Sequence, residues 1–195
     1  LFTTLYGLDI ETDTRINGFD PDVAAVTAVA LSTPEDDVVF AGPERHLLRA
    51  LDRHLRMLPP GVIVTWYGAS FDLPFLVDRA RRCGVSLGLR LRPAVLGPWL
   101  PDEHPSAYLA TWHRHVHLDA WRLYRALQPD GTPCGLKAVA RAAGFDPVEL
   151  DANELHSFTA ATVAAYAASD ARLARVLGAE RWADAAAFVD LPKIA

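Results

Sequence analysis

Lysine is nearly absent from this chain. Of its 19 basic residues only Lys137 and Lys193 are lysines, and the remainder are arginines. Together with the abundant alanine, that bias reflects a GC-rich coding sequence rather than a function. Cysteine is scarce as well. Cys83 and Cys134 match no metal or redox spacing and read as two thiols in a reducing cytosol, so a cytoplasmic location is expected. No stretch approaches the roughly twenty uninterrupted apolar residues of a membrane span, and no membrane partner is expected. The basic start, apolar middle and small-residue cleavage site of a secretory signal are missing from the first residues. The chain begins at Leu1 rather than methionine, so it is expected to be trimmed or part of something longer. A basic surplus is missing too. The net charge of −5 argues against tight, non-specific adhesion to nucleic acid, although an enzyme acting on nucleic acid adds its own carboxylates to that count.

What is present is the composition of an ordinary globular protein, 51% hydrophobic and 22% charged over 195 residues. That length suits a single domain, here residues 1–195. Strands are predicted over 4–10, 23–31, 36–41, 61–66 and 115–119. Helices are predicted over 44–58, 73–83, 120–127 and 135–143, with a long alanine-rich helix over 159–187. Residues 86–112 are proline-rich and read as an irregular loop. Three early strands followed by strands alternating with helices predict an α/β fold with a mixed five-stranded sheet flanked by helices. The arginines of the first helix, Arg45, Arg49, Arg53 and Arg56, read as a solvated face.

The stretch LYGLDIETDT (5–14) ends a buried-strand pattern in three carboxylates, Asp9, Glu11 and Asp13. Alternate residues of a strand share a face, so Asp9 and Glu11 point the same way, opposite Tyr6, Leu8 and Ile10. The carboxyl end of a strand is where α/β sheets bind ligands. Asp72, in SFDLPFL, stands at a helix start, where it could satisfy free N–H groups. In the last helix Val163, Tyr166, Asp170, Leu173 and Leu177 trace one apolar stripe, which buries Asp170 one turn from Tyr166. A buried aspartate needs a cation, a hydrogen-bond donor or a metal. Four converging carboxylates with oxygen-only ligation suit Mg²⁺ or Mn²⁺. Such a site can hold two ions roughly 3.5–4 Å apart.

DIET, FDLPFL and YAASD resemble, in order, the three motifs of the DEDD superfamily of 3′–5′ exonucleases, which have a ribonuclease H-like fold. The Tyr-x-x-x-Asp spacing of Tyr166 and Asp170 is similar to its tyrosine subgroup. FDLPFL resembles the proofreading domain of family-B DNA polymerases and its stand-alone bacterial relatives, with DNA repair and proofreading as the implied settings. The resemblance implies that Asp9, Glu11 and Asp170 bind one metal ion, that Asp9 and Asp72 hold a second, and that Tyr166 orients the attacking water. It places Thr12 near the terminal nucleotide and Phe71 in the strand-binding cleft. LKAVA (136–140) resembles a further element whose lysine, here Lys137, approaches the scissile phosphate.

One departure stands out. The family carries an asparagine four or five residues before the second-motif aspartate, and here those places are Gly68 and Tyr67. Tyr67 is expected to stack on a base in its stead. His113, His115, His117 and Asp119 alternate along one strand, but same-face side chains of a strand diverge too far to make a good tetrahedral zinc site. The expected activity is a 3′–5′ exonuclease that releases nucleoside 5′-monophosphates from single-stranded 3′ ends, DNA ahead of RNA. A larger protein or a repair or replication complex is the expected partner. An exoribonuclease, or a silent nucleic-acid-binding or partner-binding module of the same fold, are the alternatives.

Overall fold

Tyr6, Leu8 and Ile10 alternate with Gly7, Asp9 and Glu11 along the first strand, and the two sets face different halves of the molecule. The structure, a computed structural model, describes residues 3–93 and 108–185. Its strands are β1 (Thr4–Thr12), β2 (Val26–Ser32), β3 (Asp37–Ala41), β4 (Gly61–Thr65), β5 (Leu89–Pro93), β6 (Tyr108–Trp112) and β7 (His115–Asp119). They form one mixed sheet in the order β3-β2-β1-β4-β7-β6-β5. β1 runs parallel to β4 and β4 parallel to β7, while the other neighbours are antiparallel. The helices are α1 (Glu44–Met57), α2 (Asp72–Arg82), α3 (Ala120–Leu127), α4 (Leu136–Ala142), α5 (Ala160–Glu180) and α6 (Trp182–Ala185). A 3-10 turn spans Ala152–Ser157. Among the described residues no helix is long and apolar enough to cross a membrane.

The five predicted strands form the contiguous block β3-β2-β1-β4-β7. The sheet is nevertheless seven-stranded, not five-stranded, because the ends of the supposed loop 86–112 pair as β5 and β6. Leu89 and Leu91 alternate with Arg90 and Arg92, a period-2 signal that the prolines downstream obscure. Trp112 anchors the hairpin, 1% exposed, with its indole N–H donating to Asp52 at 2.8 Å. Residues 94–107 lie outside the described residues. The last predicted helix also breaks earlier than expected, at Arg181 (φ −104°), between α5 and α6.

One face of the sheet carries Tyr6, Leu8, Ile10, Val29, Leu31 and Ile63 against the leucines of α1 (Leu47, Leu48, Leu51, Leu55) and against α2. The other face is covered by α5. A side chain on Gly7 would bring its Cβ within 1.8 Å of the Ala171 carbonyl oxygen, and one on Gly178 within 2.8 Å of Val64 Cγ1. The alanine-rich face of α5, with Ala167, Ala171 and Ala174 fully buried, is thus the partner that a glycine in β1 demands. This close approach sets Asp170, beside Ala171, against the end of β1.

Candidate active site

β1 outruns β4: their pairing ends at Gly7↔Val64, so the last residues of β1 have no β4 partner on that side. Its register with β2 slips between Glu11 and Thr12, and the extra residue, Thr27, donates its hydroxyl to the Glu11 carbonyl at 3.1 Å. A bulge of this kind re-aims the side chains around it. Asp72, first residue of α2, accepts hydrogen bonds from its own N–H and from that of Ile10, which ties the helix start to the buried strand end. Asp72 thus meets a free N–H of the helix start, its own, from inside the first turn. The cap position is Phe71, with no side-chain hydrogen bond.

The predicted residues Asp9, Glu11, Asp72, Lys137, Tyr166 and Asp170 come together at this point. Burial raises the carboxyl pKa values of Asp9, Glu11 and Asp72, and their mutual repulsion adds to the rise for Glu11 and Asp72. Lys137, from the first turn of α4, pairs with Asp170 and opposes the charge of Asp9 and Glu11. Its ammonium lies 4.3 Å from the centre of the Tyr166 ring, a cation–π contact. Burial lowers the Lys137 pKa to about 8, against the pull of Asp9 and Glu11. Tyr166 is 9% exposed, and burial, with Glu11 and Asp9 nearby, pushes its phenol up to about 12. The whole predicted stripe of α5 is buried, from Val163 to Leu177. Asp13, third carboxylate of the opening stretch, turns instead onto Arg15, whose hydrogen bond brings its pKa down to about 2.

Among the described residues no three His, Cys, Asp or Glu side chains form a ready cage for an ion. The donor set still fits a hard divalent cation. Three crowded carboxylates of raised pKa face one lysine, an imbalance of negative charge, and every donor is an oxygen. Mg²⁺ in particular binds through one or two carboxylates and keeps several waters. The zinc alternative fails on geometry. His113 meets Asp52 at 3.0 Å, His115 the Leu55 carbonyl at 2.8 Å, and His117 the Thr65 hydroxyl at 2.8 Å, so each takes its own partner.

The rim holds the remaining predicted residues. Thr12 is buried and donates its hydroxyl to the Gly18 carbonyl at 2.7 Å. Phe71 lies between Phe75 and Phe19, at centroid distances of 5.3 and 5.7 Å. Tyr67 is half-buried and meets Trp121 edge-on at 4.9 Å. Sequence reasoning missed Phe19, an aromatic 75% exposed beside the site. Its loop is pinned by the Asp13 N–H to the Ala25 carbonyl (2.9 Å) and by Arg79, which binds both the Pro21 carbonyl (2.9 Å) and Glu44 (2.7 Å). The signal was a lone phenylalanine in a polar turn.

The crowded carboxylates make a stability prediction. A carboxyl whose folded pKa lies above its unfolded value stabilises the fold below the unfolded pKa, and loses that contribution as pH rises through the folded one. Metal-free protein should therefore lose stability from about pH 4.5 upward through neutrality. Glu11→Gln in chelator should raise the melting temperature at pH 8 by about 2–4 °C per kcal/mol relieved, and by less at pH 5. Thermal melts at the two pH values check this. A variant that melts lower than wild type at pH 8 would contradict it.

Residues 14–93 match the profile of the family described as DNA polymerase family B, exonuclease domain. The chain is related to the exonuclease domains of family-B DNA polymerases. A catalytic subunit of DNA polymerase epsilon from Arabidopsis thaliana is 32% identical over 132 residues, covering 66% of this chain and 6% of that protein. Its counterpart in Schizosaccharomyces pombe is 33% identical over 144 residues, 69% of this chain and 6% of the relative. The chain thus spans about 6% of the length of these curated relatives. In fold it superposes on a family B DNA polymerase of the hyperthermophilic archaeon Pyrobaculum calidifontis with a TM-score of 0.78, at 20% identity, over 93% of this chain and 25% of that one. The sheet and its helices are the ribonuclease H-like fold of family-B exonuclease domains. The stretch matched to the family includes Tyr67, Phe71 and Asp72, while Asp9, Glu11, Lys137, Tyr166 and Asp170 lie outside it.

Proposed function

We propose that this domain is a metal-dependent 3′–5′ exonuclease that removes nucleoside 5′-monophosphates from single-stranded ends, DNA in preference to RNA. The observation that carries the reading is the meeting of Asp9, Glu11, Asp72 and Asp170 with Lys137 and Tyr166 at one strand end, in a relative of polymerase exonuclease domains. Asp9, Glu11 and Asp170 would hold one Mg²⁺ or Mn²⁺, and Asp9 with Asp72 a second. Divalent ions in such a setting lower the pKa of bound water and offset charge on phosphate oxygens.

The chain's own groups do the rest. The neutral phenol of Tyr166 orients the attacking water by hydrogen bonding. Lys137, already close to Asp170, supplies positive charge where the scissile phosphate docks. Thr12 stands at the place of the terminal nucleotide, and Phe71, Phe19 and Tyr67 present rings to its bases. The relatives named as polymerase catalytic subunits support DNA as substrate and a larger replication assembly as the setting. Labelled DNA and RNA oligonucleotides of one sequence, each with Mg²⁺, Mn²⁺ or chelator, test the reading. Metal-dependent shortening of DNA faster than RNA is the expected result, and preference for RNA would make the domain an exoribonuclease.

Two binding predictions belong here. Stacking of a base on an aromatic ring is worth about 1–3 kcal/mol. Phe19→Ala and Tyr67→Ala should each weaken binding of a single-stranded oligonucleotide by roughly tenfold or more, since about 1.4 kcal/mol is one decade. Binding measured in Ca²⁺, to limit turnover, checks this, and wild-type affinity in either variant would remove that ring from the platform. Affinity should also fall only gently with salt. α1 packs on the sheet face opposite α5, so its arginines lie away from the site. With few phosphates neutralised, each worth about 0.7 in the log–log slope, a slope shallower than about −4 is expected. A steeper one would contradict this.

A further inference from the structure

The connection from β4 to α2, residues 66–71, carries Tyr67 and Phe71 and delivers Asp72, so its conformation sets three of the proposed site residues. That conformation is costly on its own. Tyr67 has φ 69°, in the left-handed region that non-glycine residues avoid. At Gly68 a Cβ would lie 2.3 Å from Thr65 Oγ1, so only glycine fits. Inside the turn, the Ser70 and Phe71 N–H groups donate to the Tyr67 carbonyl at 3.1 and 3.2 Å, and the Leu73 N–H to the Gly68 carbonyl at 3.0 Å.

Two further amides of the turn leave it. The Tyr67 N–H donates to Asp119 Oδ1 and the Ala69 N–H to Asp119 Oδ2, both at 3.0 Å. Asp119, the last residue of β7, is 7% exposed. Its Oδ1 also accepts from the Trp121 N–H at 3.1 Å, capping α3. Capping needs one oxygen. The second oxygen is committed to the turn, and hydrogen bonds to an ionised acceptor are the stronger kind.

We propose that Asp119 is a positioning residue. Its carboxylate clamps the 66–71 turn to the end of β7, and through it fixes Asp72 against β1 and the Tyr67 ring at the rim. The consequence for turnover rests on the exonuclease reading above; the clamp itself does not. It also gives the HVHLD stretch a role that zinc does not fill.

Asp119→Asn separates clamp from cap. Asparagine caps a helix about as well as aspartate. Its amide, however, offers one acceptor oxygen and an NH₂ group that cannot accept, so one of the two turn amides is left unpaired. Hydrogen exchange of wild type, Asp119→Asn and Asp119→Ala should show protection lost over 66–71 in both variants, with β1 and β7 still protected and α3 protected in the Asn form. Under Mg²⁺ the Asn variant should lose on the order of tenfold or more in kcat, since about 1 Å of misplacement can cost 10²-fold. The Ala variant should lose more, so that Asn rescues in part. A loss of stability alone would lower the active fraction and the melting temperature without loosening 66–71 selectively. Wild-type exchange over 66–71 in Asp119→Asn, or a loosened turn with unchanged kcat, would overturn the proposal. If wild-type protein shows no metal-dependent nuclease activity, the exonuclease reading fails and the exchange pattern alone decides the clamp.

Discussion

Asp9→Ala protein should fold normally, melt no lower than wild type in chelator, and release no nucleotide in Mg²⁺ or Mn²⁺. Asp9 lies beside both Glu11 and Asp72, and its charge raises the carboxyl pKa of each. Removing it relieves repulsion in a site with a single lysine for counter-charge, so the metal-free fold gains or holds stability. Metal binding runs the other way. A set of carboxylates that must lose protons to bind a cation loses affinity when a shared ligand is removed. The stabilisation that divalent metal gives to wild type should shrink in the variant. Asp170→Ala should lose turnover equally, and it also deprives Lys137 of its closest partner. Turnover, together with melts in metal and in chelator, checks both. Full activity in Asp9→Ala would remove the carboxylate cluster from the chemistry.

Tyr166→Phe should lower kcat by on the order of 10²-fold, with oligonucleotide binding little changed, a loss typical of removing one positioned proton-handling group. The substitution is clean. Phenylalanine keeps the ring that faces the Lys137 ammonium at 4.3 Å, and with it the cation–π contact and the packing of α5. Only the hydroxyl goes. In the metal-free protein, burial, with Glu11 and Asp9 nearby, raises its pKa to about 12, and the proposed role for that hydroxyl is hydrogen bonding to the attacking water. Single-turnover rates and binding constants of the two proteins separate the terms. An unchanged kcat would make Tyr166 a packing residue.

The carboxylate face of β1 is legible in the sequence because strand alternation is local, and so is the stripe of α5, because helical period is local too. Asp170 stands out since an aspartate on an apolar stripe demands a partner. That partner is harder to read: nothing in the neighbourhood of Lys137 in sequence points to Asp170, 33 residues away. The β5–β6 hairpin is obscured by the proline-rich stretch between its strands, and pairing across a long connection has no local signature. Phe19 and Asp119 are missed for the same reason. What each does depends on which segment lies against it: Phe71 in one case, the 66–71 turn in the other. Gly7 is the inverse case. Its need for a bare face follows only once α5 is laid across it.

The most direct measurement is the product released from single-stranded DNA carrying a label on its 3′-terminal nucleotide, analysed with Mg²⁺ or Mn²⁺ and again in chelator. The proposed site predicts the labelled nucleoside 5′-monophosphate as the first product with either metal, and none in chelator. Release unaffected by chelator, or no release from DNA or RNA with either ion, would contradict it.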